Sequence, residues 1–193
     1  MKKLGSVIWI ALAIFIFQGC KGNHGSTSTA DSANLSKTTD STQLKQHIAV
    51  DQNDAKFVVT AAADGMAEVA AGKLAVTKAK STRIKNFATM MVNDHSKAGN
   101  ELAQIAQKEG ITLPTAPDTT QKKKAAELSQ KSGRDFDKAY VDAMVDGHKK
   151  AVGLFEDASK NLKDTTLRAF AVKTLPTLKM HLDSINAIKA SMK

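Results

Sequence analysis

With 193 residues, 42% of them hydrophobic and 24% charged, the chain has the composition of one globular domain with tails and is too short for two sizeable cores. Aromatic residues make up only 5%, with three prolines and one tyrosine, which disfavours β-sandwiches and barrels and favours an all-α protein rich in Ala, Lys and Leu. The single cysteine excludes an intramolecular disulfide and any CxxC motif, and the net charge of +9 comes without the aromatic-interleaved basic patch of a nucleic-acid binder.

Residues 1–19 read as a signal peptide. Lys2 and Lys3 form a basic start, and the apolar run from Val7 to Phe17 is too short to span a bilayer. It ends in Gly19-Cys20, which resembles the lipobox of bacterial lipoproteins, although Phe17 and Gln18 depart from the usual Leu and small residue. That resemblance implies a lipid anchor on Cys20, and with it attachment to a membrane in the bacterial envelope, periplasmic or outer-membrane. An ordinary secretory signal that contains a cysteine is the plainer alternative. Residues 20–53 are rich in Ser, Thr, Asp, Gly and Lys without an apolar face, so they read as a disordered tether, with His24 and His47 as solvated linker residues.

From 54 to 193 the chain reads as helices with clear punctuation. The first runs over about 54–80 and is apolar nearly all round. Ser81 and Thr82 open the second, which stops at Gly110 with Pro114 beyond. Asp118 and Gln121 form a capping-box pattern for a short connecting helix that ends near Ser132-Gly133. A third long helix reaches about 161, Asp164 or Thr165 caps the fourth, and Pro176 falls inside it. Four long helices joined short, long, short describe a four-helix bundle.

The bundle seams carry the strongest pattern. The apolar repeat in the second helix is Ile84, Ala88, Met91, His95, Ala98, Leu102, Ile105. In the third it includes Val141, Met144, His148, Ala151 and Phe155, and in the fourth Ala171, Leu178, His181 and Ile185. Every histidine of the helical region therefore falls on a seam. Counted from the tight turns at Ser81 and Asp164, the three lie within roughly 5 Å of one level at about 1.5 Å per residue, and Glu68 joins them from the first helix. Three imidazoles and a carboxylate converging at mid-bundle describe a metal site. Each has a bland counterpart: a buried neutral imidazole bonded to a neighbour, or, for Glu68, a place with Thr60 and Asp64 on a solvent stripe. Asp94 points off the seam, which suggests a surface role, and Tyr140 needs a structural hydrogen-bond partner in the core.

Phe57 to Glu68, Met91-Val92-Asn93-Asp94-His95, Leu113-Pro114, Gly133 with Phe136-Asp137 and Tyr140, His148, and Leu175-Pro176 with His181-Leu182 together resemble a family of exported bacterial proteins of unknown function, sometimes called predicted outer membrane proteins. The resemblance spans the whole helical region. It implies a ferritin-like four-helix bundle, an inward Glu68, and a long connection between the second and third helices that returns the chain along the bundle. True di-iron carboxylate proteins carry Glu-x-x-His, but the residue three before each histidine here is Val92, Val145 or Leu178. A mononuclear His-rich site, or none, remains; the ligands expected of such a site are His95, His148 and His181, with Glu68 as the candidate fourth.

Two functional readings follow. One is an envelope lipoprotein that binds one transition-metal ion, Cu, Zn or Fe; the other is a non-enzymatic structural or stress-related module, its histidines structural and its protein partners not readable from sequence. Nothing positive supports catalysis, because no nucleophile–base arrangement or phosphate-binding loop stands out. Met91 and Met144 each lie four residues before a seam histidine, in segments that repeat each other's Met, Val, His, Lys and Ala. Thioether beside imidazole is the feature that favours copper, whereas packing is the commoner use of a core methionine.

Overall fold

A computed structural model describes residues 25–39 and 50–192. The expected signal peptide, Cys20, His24 and His47 lie outside the described residues. The described chain is all-α: α1 (Ser26–Thr39), α2 (Gln52–Lys78), α3 (Thr82–Lys108), α4 (Thr119–Ser129), α5 (Gly133–Asn161) and α6 (Thr165–Ala190). No helix among the described residues is long and apolar enough to cross a membrane.

The helix ends follow the punctuation of the sequence. The Asp51 carboxylate accepts from the Asn53 and Asp54 amides and starts α2 slightly earlier than apolar periodicity suggests. Gly110, at φ 67°, closes α3 in a left-handed turn whose next amide, Ile111, reaches back to the Ala106 carbonyl at 2.8 Å. Asp118 and Gln121 complete the expected capping box of α4 at 2.7 and 2.8 Å. Asp164 caps α6, which continues through Pro176.

The four long helices close a ring in which α2 packs on α3 and α5, and α6 packs on α5 and α3. Tight turns join α2 to α3 and α5 to α6. The connection from Gly110 to Ser132, carrying α4, returns the chain along the ring so that each neighbouring pair is antiparallel.

Two buried aspartates lock this arrangement by satisfying amides at the turn of the opposite hairpin. Asp54 of α2 accepts from Lys163 and Asp164 at 2.9 and 2.8 Å, and Asp137 of α5 accepts from Lys80 and Ser81 at 2.9 and 3.0 Å. Ser81 makes no side-chain cap of its own, so Asp137 supplies the acceptors at the start of α3. The two hairpins are thus related in register. Counting from each aspartate, Phe57 corresponds to Tyr140, Phe87 to Phe170 and Ala88 to Ala171, and all six are buried. Because each buried aspartate makes two charge-assisted bonds to part-buried turn amides, Asp54→Ala and Asp137→Ala should each cost about 3 kcal/mol in urea unfolding. The double variant should add the two losses, since the sites lie at opposite ends of the ring.

The stretch 26–39 corrects the expectation of a disordered tether over 20–53. α1 packs on α2, and its bonds run to the loop after α3. Asn34, 2% exposed, accepts from the Thr112 amide at 2.7 Å and donates to its carbonyl at 3.0 Å. Lys37 reaches the Gly110 carbonyl at 2.7 Å, and Ser26 accepts from the Thr115 amide at 2.7 Å. A helix held by polar side chains rather than an apolar stripe leaves no periodic signal to read.

Candidate metal centre

Seam positions carry the three histidines inward. His148 and His181 are fully buried, and the His95 side chain is 9% exposed. Their ring centroids lie 5.4 to 5.6 Å apart in all three pairings. Glu68, 8% exposed, enters from α2 between two of them. One carboxylate oxygen takes His95 Nδ1 at 3.0 Å, and the other faces His148 Nδ1 at 3.4 Å. The solvent-stripe alternative for Glu68 is therefore excluded. Gly147 leaves the room it needs, since a Cβ there would stand 3.3 Å from the carboxylate.

The hydrogen bonds determine which imidazole nitrogen keeps a lone pair. His95 Nδ1 donates to Glu68. His148 Nδ1 donates to the Met144 carbonyl at 3.0 Å, and His181 Nε2 donates to Asp94 Oδ2 at 2.9 Å. What is left is His95 Nε2, His148 Nε2 and His181 Nδ1, each buried and without a partner. One ligand nitrogen from each ring lies within 4.8 Å of the others. Every ring thus turns one nitrogen to a fixed acceptor and leaves the other free. That division is how proteins prepare histidines for a metal ion: the held nitrogen sets the tautomer and raises the basicity of the free one.

Chemistry narrows the occupant further. Three lone pairs in an apolar setting are costly to leave unmatched. One water molecule offers only two donors, whereas one cation accepts all three. From the spacing above, each nitrogen would move by under about 1 Å to reach a Zn–imidazole distance of about 2.0–2.1 Å. The buried triad can hold a metal ion.

The family model that matches the chain is that of a domain of unknown function, DUF4142, over residues 37–188. The chain belongs to this family. The matched span runs from the end of α1 into α6 and so contains every residue of the cluster. No curated protein and no solved structure matches the chain.

Electrostatics within the DUF4142 domain favour neutral His148 and His181 near an ionised Glu68. Burial lowers the proton affinity of His148 and His181 against the pull of Glu68 and Asp94. For Glu68, burial acts to raise the carboxyl pKa, but the His95 hydrogen bond and the three imidazoles outweigh it, leaving it below the usual carboxylate value.

Other residues singled out in the sequence fare differently. Asp94, expected at the surface, is half-buried and holds His181; it lies off the seam, next to His95, where helical periodicity gives no inward signal. Tyr140 is buried and stacks on Phe136 at 6.2 Å, but its hydroxyl finds no partner. Burial, with the Glu68 charge adding, pushes that phenol above its ordinary pKa. Met91 and Met144 are buried in an apolar cluster with Phe87, Tyr140 and Ile185.

Proposed function

We propose that this DUF4142 domain is a ferritin-like bundle that binds one transition-metal ion through His95 Nε2, His148 Nε2 and His181 Nδ1. Two observations carry this reading: the three histidines each bring a ligand nitrogen within 4.8 Å of the others, and each ring has one buried, unpartnered nitrogen opposite a nitrogen already held by a fixed acceptor. Glu68, expected as a fourth ligand, is read instead as orienting His95, while the Met144 carbonyl orients His148 and Asp94 orients His181. Imidazole donors suit Zn, Cu, Fe or Ni. The lipobox-like Gly19-Cys20 supports a lipid anchor that places the domain in the bacterial envelope. A purely structural role for the histidines accounts for the three hydrogen bonds that are made, but it leaves the three free lone pairs without a purpose.

Metal analysis after equilibrium dialysis against Zn(II), Cu(II) or Co(II) tests this reading. It expects one ion per chain, lost in His148→Ala; equal uptake by His148→Ala and the parent would end it. Glu68→Gln should keep the ion but weaken its affinity by about 10–100-fold, because a neutral amide is a weaker acceptor for the His95 Nδ1–H than the carboxylate and orients that ring less firmly.

A further inference from the structure

The register between the two hairpins pairs the metal centre with a second place in the fold. Counting from the capping aspartates, His148, His181, Glu68 and His95 correspond to Gly65, Ala98, Ala151 and Leu178. Those four line a cavity of about 400 Å³ among α2, α3, α5 and α6. The trend continues around it, with Ala61 in place of Met144 and Thr174 in place of Met91. Where one half of the fold holds imidazoles and thioethers, the other holds smaller side chains and space. Leu113 and Pro114 of the loop after α3 complete the wall, and α1 fixes that loop through Asn34, Lys37 and Ser26.

Most of the wall is apolar, with Leu102, Leu154, Phe155 and Phe170 facing in. Its charged groups are of one sign. The chain carries 28 Lys and Arg residues and a net charge of +9, yet among the described residues none of the 28 lines the cavity, whereas Asp64 and Glu68 do. Both carboxylates come from one face of α2, one turn apart. Glu68 is turned toward the imidazoles, and Asp64 is hydrogen-bonded by the Gln121 side chain.

We propose that this cavity binds a small lipophilic cation, an alkyl or aryl amine whose apolar body fills the space among the small residues and whose ammonium group meets Asp64 and Glu68. A fatty acid would bring a third carboxylate to a wall with no Lys or Arg, whose one base, His95, is already hydrogen-bonded to Glu68. A neutral hydrocarbon would bury the Asp64 end against apolar atoms and add nothing to its one hydrogen bond from Gln121. The titration of Asp64 agrees with the geometry. Burial first, then the charges of Glu68 and Asp118, push its carboxyl up to about 6 against the opposing pull of the Gln121 hydrogen bond and Lys150, so a cation beside it would add to a compensation that is only partial.

The test uses the full chain, freed of metal with a chelator, so that it does not depend on the metal reading. Octylamine, octanol and octanoate share one apolar body and differ in head charge; calorimetric titration at pH 7.5 compares them. The amine should bind about tenfold more tightly than the alcohol, with octanoate weakest. Asp64→Asn should reduce the preference for the amine by about fivefold. Ala98→Leu and Thr174→Leu, which fill the cavity, should each weaken octylamine by about tenfold while keeping the parent's helical circular dichroism. Octylamine binding no tighter than octanol or octanoate, or binding undiminished in both filled variants, would overturn the proposal.

Discussion

Saturating Zn(II) should raise the midpoint of thermal unfolding by about 8–16 °C, and His148→Ala should abolish the gain. An ion that binds only the folded chain stabilises it by RT ln(1 + [L]/Kd), or about 4.1 kcal/mol at a thousandfold excess over Kd. A domain of this size shifts by about 2–4 °C per kcal/mol. The size of the effect depends on preorganisation, and the described geometry provides it: three rings are already held by Glu68, Asp94 and the Met144 carbonyl, so little is spent in orienting them. His148→Ala is the sharpest control because it removes one lone pair and leaves the acceptors of the other two rings in place. If calorimetry shows the same Zn-dependent rise in parent and variant, the ion is binding elsewhere.

Much of that centre could be read from the order of residues, and the reasons for the misses are physical. The seams were legible because a buried helix face repeats with the helical period, and the seam residues named above on all three helices are buried or half-buried. Histidines on such a face had to point inward, and three at one level had to meet. Glu68 was ambiguous because Thr60 and Asp64 stand at its spacing, and only packing against α3 and α5 decides which side of α2 faces in. Asp94 escaped because a side chain off the seam can still reach a neighbouring helix. The helix α1 was invisible for a different reason: its stability resides in hydrogen bonds to a loop far along the chain, which leave no local period. The relation between the hairpins was hidden as well, since it lies in corresponding volumes and caps more than in identical residues. The short repeat around Met91 and Met144 is not that relation, because the register pairs Met91 with Thr174.

Acid should unfold the metal-free domain in two stages. The first begins near pH 6.5, the ordinary imidazole value. Burial holds His148 and His181 below it in the folded state, so as pH falls the unfolded chain binds protons that the folded chain refuses, and stability drops. Two such groups cost at most about 2.7 kcal/mol per pH unit until their folded pKa values are reached. The second stage begins near the ordinary glutamate value of 4.5. Glu68, held ionised in the fold, then loses its advantage to an unfolded chain that protonates freely. Asp64 works in the opposite sense. Its folded pKa of about 6 exceeds the ordinary 3.8, so between those values the folded state takes up a proton that the unfolded state does not, offsetting part of the histidine loss. His95, on the same cluster, meets Glu68 across 3.0 Å, and Asp94 meets His181 across 2.9 Å, so both sets of charges act within one network. Urea unfolding of the metal-free chain from pH 8 to 4 reads the sum. Asp64→Asn should steepen the fall between pH 6 and 4, and His148→Ala should make it shallower below pH 6.5. A bound ion competes with these same protons, so the stabilisation by Zn(II) should persist to below pH 6.5 and vanish once the folded imidazoles protonate. A stability that stays flat from pH 7 to 5 in the metal-free parent would mean that the imidazoles are solvated and ordinary.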